Sequence, residues 1–155
     1  MTAIIPDNAA DRTVQTTAKS YNVAISLRII SDGTPGMRLQ AVALGEAIKA
    51  TQKPTPTLDD IIIKPSPILR HIPHLAKYLP LKWLRVIVGS KLAALSSSNS
   101  TIIITCGRRM AGLSIAIRRL GIASANKRRP RTIHIQDPRL PPQYFDILIA
   151  PKHDP

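Results

Sequence analysis

The chain has 155 residues, 44% of them hydrophobic but only 3% aromatic, and a formal net charge of +13. That length suits one domain with an aliphatic core, and no apolar run approaches the roughly 18–20 residues of a membrane span. A single cysteine, Cys106, excludes an intrachain disulfide, and the start has neither a secretory-signal layout nor, with Asp7 and Asp11 present, a transit-peptide composition.

Residues 1–21 are small, polar and aperiodic and are expected to form a disordered tail, with 22–155 as one α/β lobe. Residues 23–30 read as a buried strand interrupted by Ser26, and 31–36 as a loop holding Gly33, Pro35 and Gly36. Met37, Ala41, Leu44 and Ile48 recur at helical spacing. A Pro/Thr linker over 52–57 leads to a short strand, Ile61-Ile62-Ile63, closed by Lys64-Pro65. Prolines at 65, 67, 73 and 80 break the next segment into pieces, the last of which repeats Leu81, Leu84, Val88 and Leu92 as a helix. A loop over 96–100 precedes a third strand at 101–106. Met110, Leu113, Ile117 and Leu120 predict another helix, with Gly121 at its end. A basic loop over 125–131 and strands at 132–135 and 145–150 complete the chain. This order predicts a mostly parallel, Rossmann-like sheet with helices on both faces. Such a half normally continues into a further helix, so the chain is expected to be truncated, with a second lobe missing.

Four polar motifs follow four of these strands: Ser31-Asp32-Gly33, Gly107-Arg108-Arg109, Gln136-Asp137-Pro138-Arg139 and Pro151-Lys152-His153-Asp154. In parallel strands all four meet at the carboxyl edge, where open α/β sheets bind ligands. Gly107-Arg108-Arg109 opens a helix, where unpaired N–H groups favour anions and arginines are unfavourable by about 0.3–1 kcal/mol each. A phosphate or diphosphate reverses that sign; the alternative is arginines that face water or pair with Asp137 or Asp154. Asp32 can accept a hydroxyl proton, or simply cap its own turn. Gln40 lies one turn into the first helix and either reaches the same cleft or is solvated. Gln136, Asp137 and Arg139 offer an amide, a carboxylate and a guanidinium as a polar clamp, or an Asp–Arg lock on the loop. His153 is a candidate acid or base. Cys106 reads as a small buried hydrophobe. The loop at 31–36 is neither a dinucleotide fingerprint nor a P-loop, and no cofactor is expected. The histidines lack metal-site companions. Tyr78 and Lys82 match the Tyr-x-x-x-Lys spacing of short-chain dehydrogenases, but Pro80 lies between them.

No acidic residue occurs between Asp60 and Asp137, a field that attracts polyanions. Nucleic acid is not the expected partner, because few aromatics are available for base stacking. The segment 68–92 mixes Arg70, Lys77, Lys82, Arg85 and Lys91 with Leu, Ile, Tyr78 and Trp83. It either covers the sheet with lysines outward or lies on an anionic membrane.

The ordered set Ile30-Ser31-Asp32-Gly33, Gly36, Gln40, then Gly107-Arg108-Arg109, then Gln136-Asp137-Pro138-Arg139, then Phe145-Asp146 and Pro151-Lys152-His153-Asp154 resembles the mitochondrial fission (elongated mitochondria) family. Bacterial members are often labelled nucleoside-diphosphate-sugar epimerases, a label that fits these residues poorly. Arg38, Leu39 and Ser100-Thr101 depart from the family pattern. The resemblance implies a two-lobed fold similar to GT-B glycosyltransferases, of which this is the N-terminal lobe. Plant members are linked to recruitment of a dynamin-related protein to the mitochondrial surface.

The expected function is therefore binding of an anionic, phosphate- or nucleotide-sugar-type ligand at the carboxyl edge. Asp32 and His153 are the catalytic candidates, and Gly33, Gly36, Gln40, Gly107, Arg108, Arg109, Gln136, Asp137, Arg139 and Asp154 the binding candidates. The alternative is a non-enzymatic protein that docks to a membrane surface or a protein partner. A cytoplasmic location is expected, with peripheral attachment to the inner membrane face as the alternative.

Overall fold

The structure, a computed structural model, describes residues 25–89, 101–123 and 129–151. The expected tail, strand residues 23–24, Lys91, Leu92, the loop at 96–100, most of the 125–131 loop, and Lys152, His153 and Asp154 lie outside the described residues. Five strands form one sheet: β1 (Ser26–Ser31), β2 (Thr57–Ile62), β3 (Thr101–Cys106), β4 (Arg131–Ile135) and β5 (Ile147–Ile149). Their order is β2-β1-β3-β4-β5, and every pairing is parallel. The helices are α1 (Pro35–Thr51), α2 (Pro67–His71), α3 (Leu81–Val88) and α4 (Ala111–Ala123). Short 3-10 turns occupy Pro73–Lys77, Arg108–Met110 and Pro142–Tyr144. This is a Rossmann-like α/β fold.

The central strands are buried on both sides, which is why they read as continuous apolar runs. The register sets Ile29 beside Ile104 and Ile104 beside Ile133 on one face. There α1 covers them with Met37, Ala41, Leu44 and Ile48, the residues whose spacing predicts that helix. Ile30 and Ile103 point the other way, into a larger cluster built by α4 with Leu69, Leu84 and Val88. Each fully buried Ile or Leu contributes about 1.5–3 kcal/mol. Gly112 lets α4 approach α2 closely: an added Cβ would strike the Leu69 carbonyl and lie 3.0 Å from Pro73 Cα.

Several boundaries differ from the sequence reading: β5 spans Ile147–Ile149 rather than 145–150, β4 starts at Arg131 rather than Thr132, and β1 starts at Ser26 with Ile25 outside it. β2 starts at Thr57 rather than Ile61, and its exposed Thr57, Asp59 and Asp60 disguise it as loop. As an edge strand it needs only one backbone partner, β1, and polar side chains are tolerated there. Ser31 belongs to β1 and is fully buried, not in the loop. Gly121 is buried within α4, which runs on to Ala123; an added Cβ there would lie 3.3 Å from Pro130. Pro80 precedes α3, so Tyr78 and Lys82 share no continuous helix.

Asp146 ties the amino edge together. Arg118 Nε donates to its Oδ1 at 2.9 Å, and Arg129 reaches both oxygens at 2.7 and 2.8 Å. The Thr132 N–H donates to Oδ2 at 3.0 Å. Burial alone would raise this carboxyl's pKa, but the bonds from Arg129, Thr132 and Arg118 outweigh it and hold the group well below the usual range. One side chain thus joins α4, the approach to β4 and the start of β5.

Replacing it as Asp146→Asn leaves two half-buried guanidinium groups without their counter-charge. Denaturant unfolding is expected to show a loss of about 3 kcal/mol. His134 supplies a second test. It is fully buried on β4, stacks on Phe145 at 4.9 Å, and has Nδ1 2.8 Å from Thr105 Oγ1. Burial pushes its pKa down to about 4 from 6.5. Between those values the unfolded chain binds a proton that the folded one does not, so stability falls as pH drops through that window, by about 3 kcal/mol. Unfolding measured from pH 7 to pH 4 is expected to show that slope, and His134→Gln is expected to flatten it.

Candidate functional site

The strand order reverses between β1 and β3: the chain leaves β1 toward β2 on one side and returns to β3 on the other. The two crossovers run over opposite faces, so the loops after β1 and β3 diverge and leave a crevice at the carboxyl edge. A cavity of about 300 Å³ opens there, lined by Asp32, Thr34, Met37, Cys106, Gly107, Arg108, Arg109 and Gln136.

Asp32 directly follows β1. Its Oδ1 accepts the Thr34 N–H at 3.0 Å, and its Oδ2 lies 4.0 Å from Arg109 NH1. Burial alone would raise its pKa, but the Thr34 hydrogen bonds and Arg109 together lower it, so it is an anion at neutral pH. It therefore caps its turn and faces the cavity at once.

Gly107 ends β3 at φ +90°, a left-handed conformation that glycine adopts without a steric penalty. A Cβ there would also crowd Met37 Sδ at 3.2 Å. This turn aims Arg108 and Arg109, both exposed, over the crevice. They occupy the 3-10 turn before α4 rather than the helix itself. Among the described residues Arg108 has no carboxylate partner, and Arg109 has only the long contact to Asp32. Asp137, a partner considered from sequence, does not pair with either.

Gln136 lies just past β4 at φ +78°. Its Nε2 donates to Gln40 Oε1 at 3.1 Å, and the Cys106 thiol lies 3.4 Å from the same oxygen. Gln40 therefore bridges α1 to the ends of β3 and β4. Burial, and secondarily the Asp32 charge, pushes the Cys106 thiol up to about 11, so it is not a thiolate.

Of the other described candidates, Gln40, Gly33, Gly36, Asp137 and Arg139 are not among the lining residues. Gly33, at φ +86°, packs against Ile62. Gly36 sits in the first turn of α1 in open space. Asp137 accepts the Arg139 N–H at 2.8 Å, which locks the loop through backbone rather than guanidinium. His153 and Asp154 lie outside the described residues. Met37, Thr34 and Cys106 were not among the binding candidates; their types carry no charge signal, and only the packing of α1 on β3 brings them in.

Among the described residues there is no group of three His, Cys, Asp or Glu side chains able to hold a metal ion. None of their helices is long and apolar enough to cross a membrane. Comparison with curated proteins and with solved structures gives no match. The family model described as Mitochondrial fission ELM1 matches residues 35–155, which include the arginine pair, Gln136 and the Asp146 cluster. By that match over most of its length, the chain belongs to the Mitochondrial fission ELM1 family.

Proposed function

We propose that this chain binds a phosphate-bearing ligand of nucleotide-sugar type in the crevice between β1 and β3, as the N-terminal lobe of a glycosyltransferase-like protein. The observation that carries the reading is the convergence of one ionised carboxylate and two guanidinium groups on a cavity at the strand reversal. The arginines hold the anionic group through charge-assisted hydrogen bonds. Asp32 faces a hydroxyl of the ligand or acceptor and takes up its hydrogen bond. As a general base it is weak at neutral pH, because its pKa is lowered; its first role is orientation. Gln136 lines the cavity and contributes an amide group, held in place by its hydrogen bond to Gln40.

Titration of the protein with UDP-glucose and with inorganic phosphate, followed by calorimetry, tests this. Arg108→Ala with Arg109→Ala is expected to weaken binding by about 10–100-fold without changing the unfolding midpoint, since both side chains are exposed. Equal binding by the wild type and this variant refutes the site.

A second reading rests on a different surface. Ile68, Ile72, Tyr78, Trp83 and Val86 are exposed, and Arg70, Lys77, Lys82 and Arg85 stand among them. Apolar and aromatic groups mixed with cations suit an anionic membrane surface. On α3 the exposed Trp83 and Val86 lie opposite the buried Leu84 and Val88. Co-sedimentation with phosphatidylglycerol vesicles is expected to exceed that with phosphatidylcholine vesicles, and to drop on Trp83→Ser with Val86→Ser. Binding that ignores lipid charge counts against this reading.

A further inference from the structure

A second cavity, of about 390 Å³, shares the arginine pair with the first and is lined by Arg70, His71, Pro73, Arg108 and Arg109. No carboxylate lines it. Arg70 lacks an ion pair among the described residues, as does Arg108. Three guanidinium groups thus share one wall with an imidazole.

The fold forces this crowding. Leu69 is buried, and its carbonyl abuts Gly112 near the start of α4. Seating Leu69 there sets α2 against the Arg108–Met110 turn, so the two residues after Leu69 stand beside the arginine pair. Like charges held together by packing repel one another until an anion enters between them. Two cavities of this size, each near the lower end of those that take small ligands, share Arg108 and Arg109 as a common wall.

We propose that Arg70 and His71 extend the anion site past the arginine pair, so that the ligand carries two linked phosphates set side by side along the exposed Arg108 and Arg109, one toward Asp32 and one toward Arg70. The first cavity contains the Asp32 carboxylate and takes the phosphate that bears the hydroxyl-rich part. The second contains only cationic and imidazole groups besides Pro73 and takes the other phosphate. This rests on the phosphate reading of the first cavity and extends it by a residue pair from a different part of the chain.

The test compares inorganic phosphate with pyrophosphate on the wild type and on Arg70→Ala, with circular dichroism to verify folding. Pyrophosphate is expected to bind at least about tenfold more tightly than phosphate. Arg70→Ala is expected to weaken pyrophosphate more than phosphate and so to shrink that preference, and Arg70→Lys, which keeps the charge without the fork, to restore part of it. If phosphate binds and pyrophosphate gains nothing, or if Arg70→Ala leaves the preference intact, the second site is refuted while the first stands. If neither anion binds, the reading of the first cavity falls and takes this one with it.

Uridine diphosphate and farnesyl diphosphate, titrated in parallel, separate the two carriers such a diphosphate could have. Ile68 and Ile72 are 47% and 44% exposed and flank Arg70 and His71. Tighter binding of the farnesyl compound, lost on Ile68→Ser with Ile72→Ser, supports the proposal with a lipid carrier. Tighter binding of the uridine compound supports it with a nucleotide carrier. Failure of both to bind refutes a diphosphate ligand.

Discussion

The pairing of β1 with β3 is the constraint on which the remainder rests. Each strand carries adjacent isoleucines that point to opposite faces, Ile29 and Ile30 on one, Ile103 and Ile104 on the other. Burial on both sides fixes the register, because a slip of one residue would exchange the two faces. It would also shift the loop after β1 by about 3.3 Å against the loop after β3. Asp32 and Arg109, now 4.0 Å apart, meet only because that register holds.

The charge distribution follows from the same packing. The chain is strongly basic, yet its described carboxylates are largely engaged close to home. Asp60 pairs with Arg38, Asp59 with Arg28, Glu46 with Lys49, and Asp146 with Arg118 and Arg129. Among the described cations without a carboxylate partner, Arg70 and Arg108 stand together where β3 and α2 meet. Part of the basic composition thereby acts as a local field at that rim.

Much of the fold was legible because apolar periodicity reports burial directly. β3 agrees with its expected limits, and the Met37, Ala41, Leu44 and Ile48 stripe lies on the sheet as its spacing requires. β2 was shortened because an edge strand is defined by backbone pairing, which leaves no mark on Asp59 or Asp60. The cavity at the strand reversal was partly legible: Asp32, the arginine pair and Gln136 could be gathered by assuming parallel strands. Arg70 and His71 could not, since their nearness to Arg108 depends on where Leu69 meets Gly112, a steric fit between distant positions. Asp146 was visible as part of a motif, but its role depends on two arginines from separate segments.

Asp146 clamps the end of the sheet at which β4 and β5 begin, whereas the polar loops crown the end at which β1 and β3 finish. A strand's length separates durability from recognition. Substitutions at sites this far apart, with no shared partner, generally act independently. The crown can therefore diverge in chemistry without loosening the clamp, and one scaffold can carry different specificities among its descendants.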